Sequence, residues 1–218
     1  MHMHTHGSFD CMSEPHALVE RALRRGLDRI CITDHNAVAV ALELKRAYPD
    51  HVIVGEEVRT RERVDIIGLF LEAKIPQGTP ARETCERIRA QGGIVYVPHP
   101  FASGKGGGGA ILPVIEDLID ACEGFNARLH QAGLNDRAVA WGRARDLPLG
   151  AGSDAHTLFE VGRAWVELPA FAHEPRALLA ALRRGTLHGT AAPHLVHVAS
   201  TWAKAHKWLR GESRQGGS

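Results

Sequence analysis

The chain has 218 residues, 44% of them hydrophobic and 23% charged, a size and balance that suit one soluble globular domain with a sizeable core. Its 26 Lys and Arg nearly offset 25 Asp and Glu, which argues against long nucleic acid as an obligate partner and against an anionic membrane surface, and no apolar run is long enough to span a bilayer. The four cysteines, Cys11, Cys31, Cys85 and Cys122, have no CxxC spacing, so a zinc ribbon or disulfide framework is disfavoured and a reducing cytoplasm fits.

Strand-like and helix-like segments alternate from one end to the other. The spacing predicts a helix over 16–25 behind the start signal Ser13-Glu14-Pro15, then, past Gly26, a buried strand over 29–33. A helix over 37–47 is followed by strands at 51–54 and 64–70, a helix over 79–91 that Gly92-Gly93 stops, and a strand at 94–97. After a glycine-rich loop come a helix near 111–120, a strand near 122–126, a helix near 134–145, and strands near 148–152 and 163–168. Helices over 174–184 and 197–209 end a single domain of residues 1–210, and 211–218 have the composition of a disordered tail. Repeated βα units of this kind imply an α/β fold with a parallel sheet covered by helices, either a closed barrel or an open doubly wound sheet.

Histidine is the compositional outlier, with fourteen in the chain, and imidazole is the commonest protein ligand for transition metals. Position decides which of them matter. His4 and His6 flank Thr5, and in an extended segment residues two apart point the same way and can grip one ion. Asp34-His35 follows the strand at 29–33, Glu56-Glu57 the strand at 51–54, His99 the strand at 94–97, and Asp154 and His156 the strand ending near Gly152. Each feature alone has an ordinary explanation: a helix cap, a solvated turn, a surface histidine. Their repetition at successive strand ends is harder to explain so, because that is where barrels and other parallel α/β folds build active sites. His16, His51, His130, His173, His188, His194, His197 and His206 do not fit the pattern and read as structural or surface residues. The opening Met-His-Met-His-Thr-His also has the look of a tag remnant, although tags usually carry longer unbroken histidine runs.

In order along the chain stand Met3-His4-Thr5-His6, Ser8-Phe9-Asp10, Ile32-Thr33-Asp34-His35-Asn36, Gly55-Glu56-Glu57-Val58, Val97-Pro98-His99-Pro100, Glu123-Gly124-Phe125-Asn126 and Gly152-Ser153-Asp154-Ala155-His156. This set resembles the PHP (polymerase and histidinol phosphatase) family. The resemblance implies a distorted (β/α)7 barrel with a metal site at the C-terminal ends of its strands, and hydrolysis of phosphate esters. It implies that His4, His6, Glu57 and Asp154 hold one ion, that Glu57 bridges to a second ion shared with His99, and that Asp10, His35 and His156 hold a third. Glu57, Asp154 and His156 are the residues to which it assigns catalysis. Gly55 sets the register that selects Glu57 over Glu56, which should point away. One departure is visible: Asp65-Ile66-Ile67-Gly68 carries an aspartate where relatives commonly have a second-metal histidine, so Asp65 either ligates or leaves that site weak.

A mixed imidazole and carboxylate set suits two or three Mn, Fe or Zn ions better than Mg, and neighbouring cations allow direct attack by metal-bound hydroxide without a covalent enzyme intermediate. Lys105 in the loop at 101–109 is a candidate phosphate contact, with a mobile surface loop as the alternative; Arg128 and Arg163 are clamp candidates and Asn126 an orienting residue. The substrate expected is a small phosphorylated molecule, first a phosphomonoester such as a nucleotide or histidinol phosphate, with 3′,5′-bisphosphonucleotides and short oligonucleotides also open. Alternatives are a non-catalytic module that keeps metals and a phosphorylated ligand, and an amidohydrolase-type enzyme, which would usually want a bridging lysine where this chain has Glu57.

Overall fold

Alternation along six strands decides which residues meet inside the sheet and which meet the helices. We describe a computed structural model covering residues 1–103 and 106–211. The strands β1 (Ile30–Ile32), β2 (Val52–Arg59), β3 (Asp65–Leu69), β4 (Ile94–Val97), β5 (Ala121–Asn126) and β6 (Leu149–Gly152) form one sheet in sequential order. Pairing is parallel except around β3, which runs antiparallel to both neighbours. The N-terminal residues 2–4 lie between β6 and β1: His4 N–H donates to Ala155 O at 2.9 Å and Thr33 N–H to Met3 O at 3.0 Å, so the two edges are joined through this segment. The resemblance implied a distorted (β/α)7 barrel; the sheet is curled and barrel-like, with six strands, one of them reversed, and β7 lies outside it. The physical origin of the reversal is local, because no helix separates β2 from β3 and a short link can only return the chain antiparallel.

Residues of one parity (Cys31, Ile53, Ile67, Leu69, Ile94, Tyr96, Ala121) pack together inside the curl, closed off by Leu178 and Leu182 of the helix Pro175–Leu182. Residues of the other parity (Ile30, Ile32, Val52, Val54, Ile66, Val95, Val97) pack against Leu18, Val19 and Ala22 of α1 (Pro15–Arg24), Ala41 and Leu44 of α2 (Ala39–Ala47) and Ile88 of α3 (Ala81–Ala90). Farther along come α4 (Leu112–Ile115), α5 (Leu134–Arg143), β7 (Ala164–Glu167), α6 (Pro175–Leu182) and α7 (Val196–Leu209). A strand missed by the pattern, β8 (Thr186–Gly189), pairs antiparallel with β7 as a separate ribbon; it alternates a partly exposed His188 and Leu187 and has no apolar run to announce it. Helix and strand limits otherwise agree within a few residues. The exception is β2, which continues five residues past Val54 as the partner of β3.

This extension settles the two glutamates. Glu57 shares parity with Ile53 and faces the interior of the curl, while Glu56 shares parity with Val54 and Val58 and faces the helix layer. Both are fully buried. Burial pushes the Glu56 carboxyl up to about 7, offset in part by the Ile75 N–H that donates to it at 2.8 Å. The folded protein therefore keeps the Glu56 proton over a window, from its ordinary 4.5 to about 7, in which the unfolded chain has released it, so stability falls as pH rises through that window. Glu56→Gln keeps an acceptor for Ile75 and removes the burden. We expect it to raise unfolding free energy at pH 8 by on the order of 1–3 kcal/mol and to change it little at pH 4.5, read by urea melts at the two pH values.

Two expected features fall outside the described residues: Lys105, and the tail from 212 to 218. Among the described residues, no helix is long and apolar enough to cross a membrane.

Candidate metal centre

The N-terminal segment is extended, so His2 and His4 project together into the mouth of the curl while Met3 enters the core. The chain then turns. Asp34 accepts from Thr5 N–H at 2.6 Å, from the Thr5 hydroxyl at 2.5 Å and from the Ser8 hydroxyl at 2.8 Å, and Ser8 N–H donates to Thr5 O at 3.0 Å. His6 sits on this turn and is exposed, outside the cluster. The pair is thus His2 and His4, not His4 and His6. Parity alone could not choose, because residues 2, 4 and 6 alternate alike; the Asp34-capped turn at Thr5 makes the choice. Asp34 itself serves this turn and is not among the groups gathered at the centre.

Glu57 is the hub. Its Oε2 lies 3.2 Å from His2 Nε2, 3.4 Å from His4 Nε2 and 3.0 Å from His35 Nδ1, and its Oε1 lies 3.1 Å from His99 Nε2. The two Nε2 atoms of His2 and His4 are 3.0 Å apart, and Asp154 Oδ1 is 3.3 Å from His4 Nε2. On the other side, Asp10 reaches His156 Nε2 at 3.2 Å and His35 Nε2 at 3.7 Å. Three sets of donor atoms each fall within 4.8 Å of one another: His2, His4 and Asp154; His2, Glu57 and His99; His4, His35 and His156. His99 and Asp154 both take left-handed backbone conformations, with φ of 27° and 49°, which turn their side chains back over the strand ends at some local strain.

Neighbouring groups fix the imidazole tautomers. The Ser8 hydroxyl, already donating to Asp34, accepts from His4 Nδ1 at 2.9 Å, leaving the His4 Nε2 lone pair toward the centre. His2 Nδ1 donates to Glu123 Oε1 at 3.2 Å, which turns Nε2 to the centre. His156 Nδ1 lies 2.8 Å from Asp154 O and 2.7 Å from Arg128 Nη1; whichever of these it serves, Nε2 is the atom turned to Asp10.

Burial dominates the electrostatics. It works to raise the Glu57 and Asp154 carboxyls, yet His2 and its fellow imidazoles together outweigh it and hold both well below the carboxylate range. Burial and the neighbouring His156 and His35 lower His4 to about 3, whereas at His35 the carboxylates of Glu57 and Asp10 overcome burial and push the imidazole up to about 9. Asp65 enters the same cavity because β3 is reversed, which brings the first residue of that strand to the mouth. Burial and the Glu57 charge push the Asp65 carboxyl up to about 7, while Arg59 Nε pairs with it at 2.7 Å. Asp65 is in none of the three donor sets.

The candidates for substrate contact separate. Arg128 lines the cavity but is buried, its Nε 3.0 Å from Glu160 Oε1 and its Nη2 2.7 Å from Ser200 Oγ, so it braces the wall. Asn126 is also buried and does not line the cavity; its amide donates to Glu123 at 2.9 Å and Asp154 at 3.3 Å. Arg163 lies away from the cavity, with its guanidinium over Phe159 and donating to Ala191 O at 3.2 Å. Glu123 was not singled out from the sequence, although it stands inside a quoted motif. Its inward parity on β5 gives it His2, His99 N–H and Asn126 as partners, and a Cβ on Gly152 would collide with its carboxylate. The cavity over these residues measures about 220 Å³, and α7 forms one of its walls through His197, Ser200, Thr201 and Lys204. A larger cavity, about 460 Å³, lies beside Arg29, Phe171, Met3 and Cys31, and none of the donor residues lines it.

Residues 1–130 match the PHP domain model and residues 133–187 a PHP-associated model. Pairing of β5 with β6 puts both matched regions in one sheet. An uncharacterized protein of Methanocaldococcus jannaschii is 34% identical over 147 residues, 64% of this chain and 81% of that protein; a second from the same organism is 32% identical, and the chain spans only 61% of it. Among solved structures, a two-domain protein from Bacteroides vulgatus containing a predicted PHP-like metal-dependent phosphoesterase superposes with a TM-score of 0.69 at 18% identity, covering 93% of this chain and 68% of that one. PsfC from Pseudomonas syringae superposes with a TM-score of 0.66 at 17% identity, covering 96% and 97%. With the PHP model matching more than half of its length, the chain belongs to the PHP domain family.

Proposed function

We propose that this chain is a metal-dependent phosphoesterase that hydrolyses a small phosphate ester. The observation that carries the proposal is the set of three donor groups that overlap at His2 and His4. His99, a member of one of these sets, has a buried Nδ1 with no hydrogen-bond partner. A divalent cation would also bring to Glu57 and Asp154 the positive charge that they otherwise draw from imidazoles. The residues therefore fit the group. His2, His4, Glu57 and Asp154 would hold one ion, Glu57 and His99 with His2 a second, and Asp10, His35 and His156 a third. Asp65, drawn to Arg59, shapes the edge of the second site. A donor set rich in imidazole favours Mn, Fe or Zn over Mg.

When bound, such ions neutralise phosphate charge and activate water. The chain's own residues keep that chemistry in register. Glu123 and Ser8 hold the histidine tautomers, Asn126 fixes Asp154, and Arg128 ties His156 to the wall that α7 completes. A cavity of about 220 Å³ is small beside the roughly 300–1,000 Å³ of sites for drug-sized ligands, which favours a compact phosphate ester.

The test is hydrolysis of p-nitrophenyl phosphate by protein reconstituted with Mn. The expected result is turnover that a chelator removes and Mn restores. A folded, metal-loaded protein that hydrolyses neither phosphomonoesters nor phosphodiesters would refute the proposal.

A further inference from the structure

The helix α7 lies beyond both regions matched by family models, which end at residue 187, yet it walls the metal cavity. It is anchored there. Arg128 donates to Ser200 Oγ at 2.7 Å, and the buried Lys207 ammonium donates to Ser8 O at 2.7 Å and His6 O at 2.5 Å, tying the helix to the turn that follows His4. Between these anchors Lys204 projects to the mouth. Its Nζ lies 3.6 Å from Asp10 Oδ2 and 5.2 Å from the centroid of the Phe9 ring, and its side chain is about half exposed.

We infer that α7 is the substrate-selecting element of this chain and that Lys204 is its phosphate-binding residue, favouring a terminal phosphomonoester over a diester. The inference rests on the phosphoesterase reading of the same site. Three observations support it. First, among the Lys and Arg side chains lining the cavity, Arg128 and Arg59 are committed to Glu160 and Asp65 at 3.0 and 2.7 Å, whereas Lys204 makes a longer ion pair with Asp10 at 3.6 Å and lies over the Phe9 ring. An ion shared by Asp10, His35 and His156 would claim that carboxylate and leave the ammonium facing the bound phosphate. Second, a lysine on a flexible stem acts as a point charge, and one more positive charge benefits a dianionic monoester more than a monoanionic diester. Third, Phe9 is 43% exposed beside Lys204, giving the organic part of a small ester an apolar surface at the mouth, and α7 narrows that mouth through Ser200, Thr201 and Lys204.

The experiment compares wild type with Lys204→Met, which keeps the aliphatic stem over Phe9, and with Lys204→Arg as the conservative control. Each protein is loaded with Mn, its metal content is measured, and it is titrated calorimetrically with inorganic phosphate. In parallel, KM and kcat are obtained for p-nitrophenyl phosphate and bis(p-nitrophenyl) phosphate. The expected result is unchanged metal content, phosphate binding weakened about 10-fold or more in Lys204→Met and largely restored in Lys204→Arg, and a loss in the monoester reaction that lies mostly in KM and exceeds the loss for the diester. Equal phosphate affinity in wild type and Lys204→Met, with hydrolysis intact, would overturn the role of Lys204 and leave the enzyme reading standing. A metal-loaded wild type that neither binds phosphate nor hydrolyses either ester would overturn both together.

Discussion

His2→Ala should strip metal from the protein and lower phosphoesterase activity by about 10³-fold or more, while His6→Ala should leave metal content and activity within roughly twofold of wild type. The contrast follows from geometry. His2 Nε2 is within 3.2 Å of Glu57 and 3.0 Å of His4 Nε2, and its ring belongs to two of the three donor sets. His6 is exposed on the turn, and the atom of His6 that meets α7 is its backbone oxygen, which alanine retains. Glu57→Gln should be at least as damaging as His2→Ala, because that carboxylate touches four histidines. Elemental analysis of the purified variants beside activity checks all three. Metal loss in His6→Ala with retention in His2→Ala would reverse the assignment.

Arg128→Met should lower unfolding free energy by roughly 3–5 kcal/mol, a Tm shift of roughly 10 °C for a domain of this size. The cost comes mainly from what is left behind. Glu160 is fully buried and its Oε1 faces Arg128 Nε at 3.0 Å; without the guanidinium, only the His156 N–H at 3.1 Å and the Thr157 hydroxyl at 2.9 Å, both on Oε2, remain to stabilise its charge. The double variant Arg128→Met, Glu160→Gln removes both charges and should recover most of the loss. Thermal melts with excess chelator isolate this term from the stabilisation that bound metal adds. Additive losses in the double variant would show that the two residues act independently.

The architecture was legible where burial and spacing leave few choices. Apolar strand runs separated by amphipathic helices with glycine stops specify βα units, and the elements from α1 to α7 stand close to their expected places. Reversal of β3 was not visible as such, though the absence of a helical stretch between residues 54 and 64 is its signature. At the site, eight residues singled out from the sequence, Asp10, His35, Glu57, Asp65, His99, Arg128, Asp154 and His156, line one cavity. His4 joins them at the bottom of the same cluster. The choice of His6 failed for a definite reason: a three-fold repeat of His at alternate positions has no internal register, and the register comes from Asp34, 29 residues away from Thr5. Glu123 escaped because nothing local distinguishes an inward from an outward carboxylate on a four-to-six-residue strand until its neighbours are placed; parity with Ala121 was the usable signal. Arg128 and Arg163 were chosen by charge and position alone, and pairing is what separates a wall brace from a ligand contact. Lys204 carried no motif at all, since its importance arises only when α7 folds over the mouth.

The most direct test of the metal centre is an anomalous difference map from crystals of the protein grown with Mn, recorded on both sides of the Mn absorption edge. The account predicts about two to three peaks, each within bonding distance of donors from one of the three sets, with Glu57 touching more than one and His6 touching none. No peak at Glu57 in crystals that hold Mn elsewhere would contradict it.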